Sequence, residues 1–143
     1  MGYTNNEKLG IIAGCLIGDA GKSRSSFWYQ HSLSQLDFAL HKKSLIEQII
    51  FKECSATIKH QGKYSSIRVY VKVSPLVGQL VGELWTGDQR TNKGIKILTK
   101  SFLDYLTPQG IALWYMDDGS MSYKKRDGTV RAMEITLNTY TSI

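Results

Sequence analysis

One stretch decides how the rest of the sequence is interpreted: Ala112-Leu113-Trp114-Tyr115-Met116-Asp117-Asp118-Gly119. It is apolar up to its fifth residue and then ends in two adjacent carboxylates and a glycine. Thr107 and Pro108 precede it and predict a helix over residues 108–118, with the threonine as N-cap and the proline at the first helical position. Carboxylates at a helix C-terminus oppose the helix dipole. A sequence that breaks this local rule without compensation indicates a functional site.

A second stretch with the same plan lies upstream: Ile12-Ala13-Gly14-Cys15-Leu16-Ile17-Gly18-Asp19-Ala20. Asp19 stands 99 positions before Asp118, and the same offset aligns Ala13 with Ala112. This offset is long enough for one structural repeat. Two acids at equivalent ends of paired helices predict that metal ions are bound between them.

The composition indicates one basic domain with a modest core. The chain has 143 residues, of which 42% are hydrophobic, so the composition does not predict disorder. Lys and Arg number 18 against 12 Asp and Glu, which gives a net charge of +6. This balance suits a polyanionic partner such as nucleic acid, and the alternative is simply a basic soluble domain.

The two cysteines indicate the compartment. Cys15 and Cys54 lie in apolar helical patterns and are predicted to be small core residues rather than a disulfide framework. The sequence contains no secretory leader and no run long enough to cross a membrane. We therefore expect an intracellular, reducing location, in a bacterial or phage cytoplasm or an organelle matrix, without a membrane partner.

The periodicity of the sequence predicts alternating helices and hairpins. The predicted elements are, in chain order, a helix over 4–18, two strands within 21–37, a helix over 36–54, a hairpin over 55–73, a helix over 75–85, a short helix over 101–106, the helix over 108–118 and a second hairpin over 120–140. The pattern of helices and strand pairs therefore begins again at residue 107. We expect a first repeat and linker over 1–106 and an incomplete second repeat over 107–143.

The glycines of the first helix predict close packing. Gly10, Gly14 and Gly18 recur every four residues, and each costs a helix about 1 kcal/mol relative to alanine. Close approach to another helix would offset this cost. A phosphate-binding loop is the alternative, which the intervening apolar residues disfavour. The predicted helix interface comprises Gly10, Ala13, Gly14, Ile17, Ala112, Leu113 and Met116.

The predicted strands carry cations on one face. Along residues 65–73, the apolar Ile67, Val69, Val71 and Val73 alternate with polar residues that point the other way. The hairpin over 55–73 contains basic residues and no acid. A solvated outer face is the ordinary explanation of such a pattern, and the one-sided charge favours a face that meets phosphates.

These residues together resemble the LAGLIDADG homing endonucleases, in the single-chain branch that carries two motif copies. Residues 13–19 resemble the first motif. Residues 106–108 followed by residues 112–119 resemble the second motif, which is the more specific. Residues 135–139 resemble the strand after it, so the likeness covers essentially the whole chain. Two departures are Ala20 in place of the final glycine and Leu113 where a tight interface would prefer a small residue.

The resemblance implies an α+β fold, a LAGLIDADG-type αββαββα repeat with an antiparallel saddle-like sheet, followed by the start of a second repeat. It implies hydrolysis of both strands of a long double-stranded DNA site with Mg²⁺ or Mn²⁺, whereas Ca²⁺ is expected to bind without supporting cleavage. Asp19 and Asp118 would supply carboxylates, and Gly18 and Asp117 carbonyl oxygens, to the metal ions.

Two further sets of residues follow from the resemblance. Family members often carry a lysine that lines the active-site water pocket, and Lys96 is predicted to fill this role, with Lys93 in reserve. An antiparallel sheet can lie along the major groove and contact bases with alternate side chains. The predicted DNA contacts are Lys22, Arg24, Ser26, Trp28, Lys59, Gln61, Lys63, Arg68, Tyr70, Lys72, Ser122, Lys124, Arg126 and Arg131.

Three other functions fit parts of the sequence. An intron RNA maturase, or a nucleic-acid-binding protein of the same fold that does not cleave, would use a similar surface. Residues 115–118 also match the active-site tetrapeptide of reverse transcriptases, but there the acids lie in a hairpin, and a polymerase needs a far longer chain. A basic α/β scaffold protein would leave the acids at the helix ends unexplained.

The second repeat is shorter than the first. A matching repeat would need about 80 further residues beyond the hairpin, and without them the strand before Ile143 would expose its apolar face. We expect a separate polypeptide to complete the second repeat, or else a truncated chain that self-associates.

Overall fold

The structure is a computed structural model that describes residues 2–18, 20–85, 96–123 and 130–135, with the backbone alone at 118–123 and 130–135. Its elements are α1 (Asn5–Ile17), β1 (Gly21–Ser23), β2 (Ser26–Ser32), a 3₁₀ turn (Leu33–Gln35), α2 (Leu36–Ile50), β3 (Ser55–Gln61), β4 (Tyr64–Tyr70), α3 (Pro75–Leu84), α4 (Lys100–Leu103), α5 (Pro108–Asp118), β5 (Gly119–Tyr123) and β6 (Val130–Ile135). The predicted α+β class is confirmed. The predicted boundary between residues 106 and 107 stays a prediction.

Helix α1 is the centre of the core. A capping box begins it, because the Glu7 amide donates to the Thr4 hydroxyl at 3.2 Å and the Thr4 amide donates to the Glu7 carboxylate at 3.0 Å. These hydrogen bonds from Thr4 lower the pKa of Glu7. From Gly10 to Ile17 every residue of α1 is buried. The helix is therefore enclosed by other elements rather than amphipathic.

Four strands form an antiparallel sheet in the order β1-β2-β4-β3. Its inner face carries Phe27, Tyr29 and Val69, all fully buried. On the other face Gln30 pairs with Arg68, so this row lies near the middle of the sheet. β5 and β6 form a separate antiparallel pair.

Most element boundaries agree with the periodicity, and four differ. Helix α4 ends at Leu103 rather than at residue 106. The two strands predicted within 21–37 end at Ser32, where a 3₁₀ turn leads into α2. α2 ends at Ile50 rather than at residue 54, because Phe51 adopts a left-handed conformation with φ 58°. Val73, predicted to face the core, lies beyond the end of β4 and is 55% exposed. The predicted turn at Gly62 is confirmed by its φ of 56°.

Helices α1 and α5 approach each other closely through glycine. A Cβ added at Gly14 would overlap the backbone of Gly110, and one added at Gly110 would overlap the carbonyl oxygen of Gly10. Thr107 contacts Gly10 from the start of α5, and its hydroxyl accepts a hydrogen bond from the Gly110 amide at 3.3 Å, as predicted for an N-cap. The sequence interpretation identified the glycines of α1 and missed Gly110.

Two residues predicted for this interface lie elsewhere. Ala112 and Met116 are exposed, and they line an open groove beside Tyr3 and Leu45. Gly110 faces α1. The side of α5 that carries Ala112 and Met116 therefore faces away from α1. Leu113 is buried as predicted. None of the helices in the described part of the chain has the length and apolarity that a membrane crossing requires.

The close contact predicts opposite effects of alanine at two helical glycines. Gly14→Ala should lower the free energy of unfolding by about 1–3 kcal/mol, and Gly14→Leu by more, because backbone atoms of Gly110 cannot move aside cheaply. Gly82→Ala is the matched control: nothing lies within 4 Å of the added carbon, so improved helix propensity should raise stability by about 0.5–1 kcal/mol. Urea unfolding measures both. Equal responses at the two positions would contradict the glycine contact.

Candidate functional site

The C-terminal ends of α1 and α5 meet at Gly18 and Asp117. A Cβ added at Gly18 would overlap the carboxylate of Asp117. The last carbonyls of a helix have no partner within the helix itself, and the negative end of the helix dipole lies there. Asp19 follows Gly18 in the sequence and Asp118 follows Asp117, so the two residues that precede the predicted metal ligands are in contact. Asp19 and the side chain of Asp118 lie outside the described residues.

A buried ion pair holds Asp117. The Lys42 ammonium lies 2.9 Å from Asp117 Oδ1, and both side chains are completely buried. The ammonium also lies over two aromatic rings, 4.2 Å from the centroid of Tyr29 and 4.7 Å from that of Phe38. Cation–π contacts of this kind compensate part of the lost hydration of a lysine. The pair joins α2, in the predicted first repeat, to α5, in the predicted second repeat.

His31 completes a polar cluster inside the core. Its Nε2 lies 3.6 Å from Asp117 Oδ1, and its ring packs between Tyr29 and Phe38 at centroid distances of 5.7 and 5.2 Å. Asp117 is therefore surrounded by groups from β2, α2 and the end of α1. A carboxylate buried in this way requires such partners, because desolvation of an isolated charge costs several kcal/mol.

Neighbouring ionisable groups stay neutral. Burial raises the pKa of the Cys15 thiol to about 12, with smaller and opposite effects from Lys42 and Asp117. Burial also raises the pKa of Tyr29, whose hydroxyl donates a hydrogen bond to the Ala39 carbonyl at 2.8 Å. Cys15 and Cys54 are free, buried thiols, so the prediction that they are core residues is confirmed.

The side chain of Asp117 is engaged in the buried ion pair, whereas the prediction named its main-chain carbonyl as the metal ligand. The carboxylate points into the core, towards Lys42, where it is shielded from solvent. The Asp117 main-chain carbonyl as a metal ligand stays a prediction.

Lys96 lies at the end of α1. Its ammonium donates to the carbonyl oxygens of Leu16 at 2.9 Å and Gly18 at 3.0 Å, and lies 5.1 Å from the centroid of the Trp85 ring. A cation here is favoured by the negative end of the helix dipole. The predicted lysine therefore lies beside the helix ends, while its catalytic role stays a prediction. Lys93 lies outside the described residues.

The donor chemistry of the helix ends fits a hard divalent cation. Mg²⁺ takes carboxylate and carbonyl oxygens and keeps several waters. The Gly18 carbonyl and the two predicted carboxylates belong to this class, and two helix C-termini add negative potential. Within the described residues, no three His, Cys, Asp or Glu side chains form a ligand set. Asp19 and the Asp118 side chain are not among the residues searched.

The outer face of the sheet holds most of the predicted DNA contacts. Two of them are corrected. The hydroxyl of Ser26 is buried and donates to the Val71 carbonyl at 2.6 Å. Lys22 pairs with the core residue Phe27, so its side chain starts on the opposite face of the strand from Trp28.

The other predicted contacts fall into two groups. Exposed or partly exposed side chains are those of Arg24, Trp28, Lys59, Gln61, Lys63, Arg68, Tyr70 and Lys72. Lys124 and Arg126 lie outside the described residues, as do the side chains of Ser122 and Arg131. Residues 20–36 and 54–82 contain no Asp or Glu, so the described face carries cations without acids.

A further residue of this face was missed. Gln30 is exposed, and its side-chain oxygen accepts hydrogen bonds from Nε and Nη2 of Arg68 at 2.9 and 2.7 Å. The Arg68 guanidinium in turn lies 3.9 Å from the centroid of the Trp28 ring. The alternation that placed Trp28 on the outer face also places Gln30 there, so the sequence contained the signal.

Comparison with known proteins decides the family. The family model of the LAGLIDADG DNA endonucleases matches residues 9–143. The chain belongs to the LAGLIDADG DNA endonuclease family. The predicted resemblance is thereby confirmed, and the two motif helices are the α1 and α5 that meet at their C-terminal ends.

Three curated proteins show what the chain is similar to. Protein RecA of Mycobacterium shimoidei is 27% identical over 85% of this chain and 28% of its own length. The cytochrome b mRNA maturase bI2 of Saccharomyces cerevisiae is 27% identical over 83% of this chain and 31% of its own length. The DNA endonuclease I-ChuI of Chlamydomonas applanata is 23% identical over 98% of this chain and 68% of its own length.

A solved structure supports the fold. The homing endonuclease I-WcaI, bound to its DNA recognition sequence, matches with a TM-score of 0.54 and 16% identity over 89% of this chain and 57% of its own. The chain spans under a third of the length of the RecA and maturase relatives.

The buried pair predicts a large stability difference between adjacent lysines. Lys42→Met should lower the free energy of unfolding by about 3–5 kcal/mol, because it leaves the Asp117 carboxylate buried without its cation. Lys43→Met is the matched control. Lys43 pairs with Glu47 at 2.8 Å on a surface that is about one quarter exposed, so its loss should cost less than about 1 kcal/mol. Chemical denaturation with equal midpoints for the two variants would contradict this role of Lys42.

Proposed function

We propose that the chain is a site-specific DNA endonuclease, or part of one, that hydrolyses phosphodiester bonds in both strands with divalent metal held by Asp19 and Asp118. The observation that carries the proposal is the contact of Gly18 with Asp117. It joins the two helix ends at the positions that directly precede the acids. Family membership supplies the reaction class.

The chain's own groups have distinct roles in this proposal. Asp19 and Asp118 would hold Mg²⁺ or Mn²⁺, which when bound activates water and neutralises charge on the phosphate. The Gly18 carbonyl, which also accepts a hydrogen bond from Lys96, would be a further oxygen ligand. Lys96 donates to two carbonyl oxygens at the end of α1, and in this proposal its ammonium lies beside the reacting phosphate. Lys42 neutralises Asp117, so that this acid does not repel the substrate or the neighbouring carboxylates.

The outer sheet face is the proposed DNA-binding surface. Its exposed side chains are basic, aromatic or polar, and its strands contain no acid to repel phosphates. An antiparallel sheet fits the major groove and presents alternate side chains to it. The endonuclease I-WcaI, whose structure contains its DNA recognition sequence, shares the fold.

An RNA maturase is the second candidate. The similarity to the cytochrome b mRNA maturase bI2 covers 83% of the chain, and a basic face suits RNA as well as DNA. Parallel nicking assays on duplex DNA and splicing assays on intron RNA distinguish the two functions. Splicing without nicking would favour the maturase.

A partner polypeptide, or self-association, also remains part of the proposal. Ala112 and Met116 on α5 are exposed and line the same open groove. A helix laid across this face would bury both side chains. Light scattering of the purified chain, alone and with a candidate partner, tests for such an assembly.

The proposed metal site predicts separate effects on cleavage and binding. Asp19→Asn and Asp118→Asn should each abolish double-strand cleavage in Mg²⁺, because the carboxylates hold the metal ions. DNA binding in Ca²⁺ should be largely kept, since the sheet supplies most contacts. Asp104→Asn is the control, because Asp104 is exposed and pairs with Lys100 on α4. Cleavage of both strands at the normal rate by either Asp19→Asn or Asp118→Asn would refute the assignment.

The basic sheet face predicts a steep dependence of DNA affinity on salt. The logarithm of the binding constant should fall with the logarithm of salt concentration with a slope of about −0.9 per phosphate neutralised. Lys59→Met and Lys72→Met should each flatten the slope by about one unit if the lysine contacts a phosphate. Lys100→Met, on α4, should leave it unchanged. Fluorescence anisotropy measures the slope, and a flat response of the unaltered chain would contradict an extended basic face.

A further inference from the structure

Arg68 lies in the middle of the outer sheet face. It pairs with Gln30 on β2 and with Thr57 on β3, so a strand flanks it on each side. The exposed lysines lie further out, Lys59 on the edge strand and Lys63 beside the hairpin turn. When such a sheet enters a groove, its central row meets base edges and its margins meet the phosphate backbones.

The Arg68 side chain is held in one orientation. Its guanidinium stacks on Trp28, 3.9 Å from the ring centroid. The Trp28 ring lies against Gly21, where an added Cβ would overlap the six-membered ring. An arginine normally loses much rotamer freedom on binding, so a side chain already fixed in this way loses less.

The hydrogen bonds of Arg68 define the edge that remains for a ligand. Nε and Nη2 both donate to Gln30 Oε1, at 2.9 and 2.7 Å, which occupies one side of the fork. The distal edge, made by Nη1 and the second proton of Nη2, has no hydrogen-bond partner in the described part of the chain. Since Gln30 Oε1 accepts both bonds, the amide nitrogen of Gln30 is a donor as well.

We propose that Arg68 recognises one guanine of the DNA target through this distal edge, with Gln30, Trp28 and Gly21 as positioning residues. The proposal rests on the proposed function, in which this face binds duplex DNA. Guanine presents two acceptors, O6 and N7, in the major groove, and a guanidinium edge donates to both. The other bases present a donor or a single acceptor at these positions. Arg68 therefore contributes sequence specificity, whereas the marginal lysines contribute affinity.

The test compares base preferences across variants. Bound sequences are selected from a random duplex library with Ca²⁺, using the unaltered chain, Arg68→Lys and Gly21→Ala. The unaltered chain should prefer guanine at a position where Arg68→Lys loses roughly 5- to 150-fold of that preference, the factor for one bidentate pair. Arg68→Lys keeps the charge and removes the fork. Gly21→Ala should weaken the same guanine preference, because it displaces the Trp28 ring under Arg68.

Controls separate the possible outcomes. Lys72→Met should reduce recovery of all sequences evenly and leave every base preference unchanged. A uniform loss with Arg68→Lys would mean that Arg68 holds a phosphate, and no change would mean that it does not contact DNA; either result overturns the proposal while leaving DNA binding intact. Failure of the unaltered chain to select any DNA would instead overturn the proposed function as well. Thermal unfolding of each variant verifies that the fold is kept.

Discussion

The close approach of two helix backbones governs this structure. Gly14 on α1 lies against Gly110 on α5 at a distance that admits no side-chain carbon on either residue. Helices that pack on larger side chains are held 8–10 Å apart, and their ends diverge accordingly. Here the glycines bring the backbones together, and the same geometry brings Gly18 against Asp117 at the C-terminal ends. The position of the candidate metal site is thus a consequence of absent side chains about one turn away on α1 and about two turns away on α5.

A buried charge pair complements this apolar contact. Glycine and aliphatic surfaces attract each other without strong directional preference. Two such helices could therefore pack at neighbouring registers with little loss of packing free energy. The pair between Lys42 and Asp117 permits one register, because any other leaves a charge in the core without its partner. Its contribution to net stability is therefore secondary to its contribution to a unique alignment. We interpret the aromatic surroundings of Lys42 as the feature that makes this burial tolerable.

Short-range sequence patterns predicted where the helices and strands lie. Contacts between residues far apart in the sequence decide which polar side chains are buried. Thr107 and Pro108 correctly predicted α5 because capping depends on a few neighbouring residues. Lys42 was missed although its spacing from Ala39 and Ile46 places it on the buried face of α2. Its counter-ion lies 75 positions away, and no periodicity within a helix reports such a partner. Ser26 was misplaced for the same reason, since its hydroxyl donates to the carbonyl of Val71, which lies just beyond β4.

The contact between Gly18 and Asp117 also bears on how related sequences can diverge. An acid at position 117 requires a residue without a side chain at position 18 and a cation at position 42. Without the cation, the buried acid would destabilise the fold. Without the acid, a residue with a side chain would fit at position 18. These three positions should therefore change together during evolution, as one inherited unit, even though they lie in three different helical segments. Few sequences in which only one or two of these three residues have changed would keep a stable core. Substitution at each single position should therefore be slow.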